Sequence, residues 1–382
     1  MKILIVANGY PDKHDPQWGC FEKDQAVALK NLGHEVCILY VDKRFRIYWR
    51  KIGYTRFTVH GITVFGSFWF PMLGLKSIMP KLHLYLVTQM QEKIFKYILK
   101  EWGKPDLIYA HYLYNIAFAT KLKEKYDIPL VGIEHWSELT KRELQPILRF
   151  WIEIAYNKAD KILAVSDSLR LHIKRHSGKD STVVYDMLGQ EFVSAPIPEH
   201  ALNGSFTFVA VGSLIQRKGY DILVEAFRQS GLFQVGCKVV IIGSGQKHAT
   251  LKRQIQRANL QDSVMLVGRK NKEEIISILA KSHAFVLSSR AETFSVVCIE
   301  ALSQGLPTIA TVCGGPEEFV NDSNGILIPA ENTDAMAKAM LEMYENYSHY
   351  DYASIAADAR RRFDPQVIAK QLTVLFEETM KR

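Results

Sequence analysis

The sequence has no Cys-x-x-Cys pair. Its five cysteines (Cys20, Cys37, Cys237, Cys298 and Cys313) are odd in number and scattered, which argues against a disulfide framework or a zinc ribbon and fits a reducing cytoplasm. It also lacks any uncharged apolar run approaching the roughly 18 residues needed to span a bilayer. Met1–Ala7 (MKILIVA) runs straight into a polar turn without a cleavage-site pattern, so secretion is not expected. No fixed-period repeat, low-complexity tract, D-x-D metal motif or G-x-x-x-x-G-K-[ST] loop occurs, and the last of these omissions excludes a P-loop nucleoside triphosphatase. Charge of one sign is not in large excess. The 48 Lys and Arg against 40 Asp and Glu give +8, a balance that suits phosphate-rich ligands or an anionic surface without by itself indicating nucleic acid.

What is present is an ordinary globular composition, 48% hydrophobic and 23% charged over 382 residues, which at about 150 residues per domain points to two domains of similar size. Short apolar runs alternate with helix-length amphipathic segments, the pattern of parallel sheets built from β-α-β units. A first series places strands at Lys2–Ala7, Glu35–Tyr40, Ile62–Phe65, Asp106–Ala110, Leu130–Glu134, Lys161–Val165 and Thr182–Tyr185. The stretch Asp186–Gly204, with two prolines, two glycines and no periodicity, reads as the linker, with the boundary at 187/188. A second series follows at Thr207–Gly212, Lys238–Gly243, Ser263–Val267, Ala284–Ser288 and Thr308–Thr311. The fold class is therefore α/β, two doubly wound domains, with a ligand cleft expected at the carboxyl ends of the strands.

Two segments of the second half carry phosphate chemistry. Gly212 through Asp221 (GSLIQRKGYD) joins a glycine turn, the cations Arg217 and Lys218, and a helix start. Positive charge concentrated at a strand end favours a diphosphate; a solvated Arg-Lys pair opening a surface helix has the same composition. Gly243-Ser244-Gly245 superficially resembles a dinucleotide fingerprint, but no acidic residue ends the next strand, and a tight strand-to-helix turn is the expectation. In Ser288–Thr311 (SSRAETFSVVCIEALSQGLPTIAT) a strand ends in a polar loop with Glu292 and Thr293, and a helix begins near Phe294 or Ser295 and carries Glu300. The N–H groups of Phe294, Ser295 and Val296 can hold a phosphate while both carboxylates accept hydroxyls, the combination a nucleotide sugar requires. As a loop carboxylate, Glu292 is expected to matter little for folding. In the first half, Gly19 opens a helix after a long turn and would admit close approach of a ligand to the backbone. His111 and His135 end strands, where a histidine serves structure or chemistry.

At this point the sequence resembles the retaining glycosyltransferases of family 4, which have the GT-B fold. The resemblance rests on the E-x7-E signature (Glu292, Glu300), the R-K-G turn at Arg217–Gly219 and the loop Gly314-Gly315-Pro316-Glu317-Glu318. It implies an N-terminal acceptor-side domain over 1–187, a donor domain over 188–364, and a last helix, within 365–382, packing back on the first. It implies that Glu292 contacts the donor sugar, Glu300 the ribose, Arg217 and Lys218 the diphosphate, and the backbone at Gly268, Arg269 and Lys270 the base. His135, within Glu134-His135, would lie near the reacting sugar, although Trp136 stands where relatives have glycine. Ser213 likewise replaces an arginine common in the family. The implied reaction is transfer of a sugar from a nucleoside-diphosphate sugar to a sugar or lipid-linked glycan acceptor, with no metal or other cofactor and no nucleic acid. A nucleotide-sugar 2-epimerase and a non-catalytic nucleotide-sugar binder are the alternatives. Finally, Lys43–Phe57 interleaves Lys43, Arg44, Arg46, Arg50, Lys51 and Arg56 with five aromatic residues. This composition suits peripheral docking on the anionic inner face of a membrane, or a basic surface loop whose aromatics pack on their own domain or bind the acceptor directly.

Overall fold

A computed structural model describes residues 1–15, 17–45, 52–72, 74–199 and 204–381. The chain divides into two compact units, 1–187 with 365–382, and 188–364. The first unit contains β1 (Lys2–Ala7), β2 (Glu35–Asp42), β3 (Gly53–Val59), β4 (Ile62–Phe68), β5 (Leu107–His111), β6 (Leu130–Glu134), β7 (Lys161–Ala164) and β8 (Thr182–Val183), in the sheet order β3-β4-β2-β1-β5-β6-β7-β8. All pairings are parallel except β3 with β4. The second unit contains β9 (Thr207–Val211), β10 (Lys238–Ile242), β11 (Val264–Leu266), β12 (Ala284–Leu287), β13 (Thr308–Val312) and β14 (Gly325–Pro329), all parallel, in the order β11-β10-β9-β12-β13-β14.

That second order is the 3-2-1-4-5-6 of a Rossmann-type sheet. Both faces of such a sheet carry helices, so its strands are apolar without alternation; β1 is buried at five consecutive positions and β12 along its whole length. Two strands escaped the sequence reading. β3 lies in the basic segment and is largely exposed as an antiparallel edge, so it has no continuous apolar signature. β14 (GILIP) is short and ends in proline, a residue tolerated only at a sheet edge.

The helix Pro365–Met380 belongs to the first unit and buries Ile368, Leu372 and Phe376, one stripe at i, i+4, i+8. Phe376 meets Tyr109 of β5 with ring centroids 4.9 Å apart, and Thr373 Oγ1 lies 2.9 Å from His34 Nε2.

In each unit the order of the parallel strands reverses once, between β1 and β5 and between β9 and β12. Loops leaving two such neighbouring strands diverge to opposite faces of the sheet, which opens a crevice at their carboxyl ends. The residues that carry chemistry emerge at these two places.

Candidate active site

At the second reversal, the loop after β9 turns through the short helix Gln216–Lys218 into the helix Tyr220–Ser230. Gly219 between them has φ +66°, and a Cβ there would lie 1.9 Å from the Ser288 carbonyl oxygen at the end of β12. The R-K-G turn thus presses its backbone onto the neighbouring strand end. Gly219→Ala is expected to destabilise the protein by about 2–4 kcal/mol, from the left-handed backbone and the overpacked contact together. Urea unfolding measures this, and a loss below about 1 kcal/mol would show that the turn relaxes freely.

The turn delivers its two cations to one carboxylate. Arg217 Nη1 donates to Glu292 Oε2 at 3.0 Å and to the Ala291 carbonyl at 2.7 Å, while Lys218 Nζ donates to Glu292 Oε1 at 2.6 Å. Ser289 Oγ adds a 2.6 Å bond to Oε1. Glu292 is buried. Burial alone raises a carboxyl pKa, but the Lys218 ammonium and Arg217 guanidinium outweigh it and hold Glu292 below the ordinary range. Sequence reasoning missed the clamp beneath this cluster. Arg290 makes a bidentate pair with Asp221 at 2.9 and 2.8 Å and donates to Glu331 and to the Gln216 carbonyl, so it ties the β12 loop to the R-K-G turn.

The helix after this loop spans Val296–Ser303, one residue later than the nearer of the two expected starts. Ser295 caps it at φ 85°, ψ 72°, a left-handed conformation costly for a non-glycine residue. Its buried Oγ has no hydrogen-bond partner among the described residues. A strained cap with such a hydroxyl, at the start of a helix, is suited to an anionic or hydroxylated ligand. Phe294 places its ring in the core with Phe319 and Phe363. A Cβ on Gly315 would sit 2.4 Å from Phe294, which is why the glycine loop passes there, and Glu317 accepts the Gly314 N–H. Thr293 is half-buried between Glu292 and Phe294; Glu300 shares a half-buried helix face with Val296 and Val297. Gly268 accepts the Gly243 N–H at 2.8 Å beyond β11, next to Arg269. The Gly243-Ser244-Gly245 segment is a tight strand-to-helix turn: a Cβ on Gly243 would meet the Gly212 carbonyl at 1.9 Å.

At the first reversal, Asn8 follows β1 and Asn115 follows β5. Asn115 Nδ2 donates to Asn8 Oδ1 and to the His111 carbonyl, both at 3.0 Å. Gly19 caps the helix Cys20–Asn31 at φ 76°, and a Cβ there would lie 2.3 Å from the Gly9 carbonyl. Its close approach is to the loop's own backbone.

The His135 and His111 rings lie nearly parallel, with His135 Nε2 3.3 Å from His111 Nδ1. His135 Nδ1 is 3.2 Å from Asp186 Oδ1, close enough for an ion pair though off the line of a hydrogen bond. Both nitrogens of His135 therefore face protein groups. Burial, which favours the neutral ring, is outweighed by Asp186, Glu22 and Glu134, and the His135 pKa is raised; burial and the neighbouring His135 push His111 well down. Tyr112, 5.0 Å from His135 between ring centroids, stands at φ 69°, ψ 146°, a region normally left to glycine. Asp186 fell at the start of the linker in the sequence reading, where no motif marked it.

Glu134 is fully buried, accepting from Tyr156 Oη at 2.9 Å and from the N–H groups of His135 and Trp136. Burial pushes its pKa up to about 7 from 4.5. The folded state thus holds this proton more tightly than the unfolded state. The stability it confers is full below about 4.5 and is lost as pH rises through about 7, by roughly 3 kcal/mol in total. Glu134→Gln is expected to flatten the fall in unfolding free energy between mildly acidic and mildly alkaline pH. An unchanged slope would remove Glu134 as its source.

The cation–carboxylate cluster at the β9/β12 reversal and the Asn8–Asn115 contact at the β1/β5 reversal stand where open α/β sheets bind their ligands. The model of "Glycosyltransferase Family 4" matches residues 23–186 and that of "Glycosyl transferases group 1" matches residues 197–361. The chain belongs to the glycosyltransferases of family 4, and its fold is GT-B. It is 22% identical to the N-acetyl-alpha-D-glucosaminyl L-malate synthase of Bacillus anthracis, over 100% of this chain and 98% of that one. It is 27% identical to the putative teichuronic acid biosynthesis glycosyltransferase TuaC of Bacillus subtilis, over 89% and 88%. Anabaena HepE in complex with UDP superposes with a TM-score of 0.74 at 19% identity, over 99% of this chain and 100% of that one.

The basic segment divides. Arg46, Arg50, Lys51, Tyr48 and Trp49 lie outside the described residues. Of the others, Arg44 stacks 3.2 Å from the Trp18 ring centre and pairs with Asp42 and Asp15, and Arg56 pairs with Glu101 at 2.9 Å. Tyr54 stacks on Tyr97 and Phe57 meets Tyr10. These residues pack on their own unit. No described helix is long and apolar enough to cross a membrane.

Proposed function

We propose that the protein is a retaining hexosyltransferase that moves a sugar from a nucleoside-diphosphate donor to an acceptor hydroxyl in the assembly of a bacterial polysaccharide or glycolipid, without a metal. The observation that carries this reading is the Arg217–Lys218–Glu292 cluster at the β9/β12 reversal, beside the strained cap at Ser295. Arg217, Lys218 and the first turn of Val296–Ser303 stabilise the charge that develops on the departing diphosphate. Glu292 orients the sugar, Glu300 the ribose, and the backbone around Gly268 and Arg269 the base. The acceptor oxygen forms its bond to the anomeric carbon on the face from which the diphosphate leaves. The carbon–oxygen bond to the diphosphate breaks, and the acceptor proton passes to the leaving oxygen. His135, with both nitrogens turned to protein groups, is held in place by Asp186 and His111 and is not the proton carrier. Relatives named for teichuronic and colanic acid biosynthesis favour a polysaccharide setting.

The test is a thermal-shift panel of nucleoside diphosphates and their sugars, followed by product analysis in EDTA with and without acceptor. A cognate donor at about 100 times its Kd stabilises by about 2.7 kcal/mol. Transfer with retained anomeric configuration in EDTA is expected. Loss on chelation restored by magnesium or manganese would overturn the metal-free mechanism, and a donor product altered at the sugar without acceptor would indicate the epimerase.

Peripheral docking of the first unit on an anionic membrane belongs to the same reading. Phe45, Phe70, Ile78 and Tyr85 are exposed at 66%, 70%, 79% and 60%, in a stretch, Lys43–Gln91, that contains eight cations and no Asp or Glu. Co-sedimentation with anionic but not neutral vesicles, reversed by salt, is expected. Equal recovery with both vesicle types would exclude it.

A further inference from the structure

The carboxyl ends of β2, β4, β5 and β6 in the first unit carry a second group of cations, apart from the Arg217–Lys218 cluster. Lys43 follows β2, and its Nζ lies 5.0 Å from the centre of the Phe118 ring. Lys76, in the segment after β4, places its Nζ 4.8 Å from the centre of the Tyr114 ring. His83 is buried between Phe118 and Trp151, with ring centroids at 5.7 and 6.0 Å, and its Nδ1 has no hydrogen-bond partner among the described residues. The backbone holds this arrangement in place, because the Trp151 indole N–H donates to the Lys76 carbonyl at 3.3 Å.

Carboxylates nearby are already engaged. Asp42 accepts from Arg44, Glu134 from Tyr156, and Glu138 from Lys141. Lys43 and Lys76 form no ion pair among the described residues; each ammonium rests on an aromatic face. Burial and the Lys76 charge, offset in part by Asp42, bring Lys43 down to about 8, and burial with both lysines brings His83 down to about 4. Positive charge without an ion pair, beside a buried ring nitrogen that has no partner among the described residues, at the ligand-binding end of a parallel sheet, is a setting that favours an anion.

We infer that Lys43, Lys76 and His83 form a subsite for the phosphate or diphosphate of the acceptor, with Tyr114 and Trp136, 5.3 Å apart between ring centroids, as its aromatic wall. This rests on the glycosyltransferase reading for the word acceptor, and on the first unit alone for the anion. The acceptor class is therefore a phosphorylated one, either a lipid-linked glycan phosphate or a soluble sugar phosphate.

Competitive lysine acetylation, read at each lysine by mass spectrometry, tests it on the unmodified protein. Inorganic pyrophosphate at roughly ten times its Kd is expected to slow labelling of Lys43 and Lys76 about tenfold, with the exposed Lys104 unaffected. Phosphatidylcholine vesicles carrying a polyprenyl phosphate form the second arm, against the same vesicles without it. Protection in that arm identifies a lipid source, and protection by pyrophosphate alone a soluble one. Labelling of Lys43 and Lys76 unchanged in both arms overturns the subsite. Nucleoside diphosphates in a parallel run report on Lys218: if they leave it unprotected while pyrophosphate protects Lys43, the donor assignment fails and the subsite stands.

Discussion

Glu292→Ala is expected to lower sugar transfer at least about a hundredfold, since each charge-assisted hydrogen bond lost removes roughly 1.5–3 kcal/mol and each 1.36 kcal/mol is tenfold in rate. The same substitution costs stability as well. As a loop carboxylate it was expected to be dispensable for folding, yet it is buried and is the shared counter-ion of Arg217 and Lys218. Its removal leaves two cations facing each other, and a loss of about 1–3 kcal/mol follows, discounted because Arg217 is one-third exposed. Glu292→Gln keeps the shape and part of the hydrogen bonding, so comparing the two variants by kcat and by urea unfolding separates the two effects. Transfer by Glu292→Ala near the parent rate would remove Glu292 from the reaction.

Lys218→Ala gives the second large effect, with a different signature. Arg217 remains paired with Glu292 in this variant, so the stability loss is expected to be smaller than in Glu292→Ala. The diphosphate loses a cation both on binding and as charge develops at the leaving oxygen, which raises KM for the donor and lowers kcat. A fall in kcat/KM of about 10²–10³ is expected from one charged contact strengthened in the transition state. Lys218→Arg should rescue only partly, because a planar fork does not reproduce an ammonium held 2.6 Å from Oε1. Steady-state kinetics with varied donor decide this, and unchanged KM and kcat would refute the assigned role.

Twelve of the fourteen described strands, the boundary between units and the span of the last helix were legible because each depends on local pattern. Parallel strands covered on both faces leave apolar runs, and Asp364-Pro365 marks a helix start at any fold level. The R-K-G turn and the E-x7-E spacing were also visible as strings. Which residues those strings touch was not. Arg290 stands two residues from Glu292 in sequence, yet its partners Asp221 and Glu331 lie on other loops.

The sequence by itself determined the periodicities, hence the α/β class with its two successive sheets, and it placed glycine where the backbone must turn at Gly19 and Gly219. Only the tertiary structure decided that Glu292 would neutralise two cations, that Asp186 would meet His135, and that Lys43, Lys76 and His83 would share one end of a sheet. The reason is physical. Secondary structure follows from preferences acting over a few residues, whereas the charge state and partner of a buried side chain depend on groups brought within about 4 Å from distant parts of the chain, where a low dielectric makes each neighbour count.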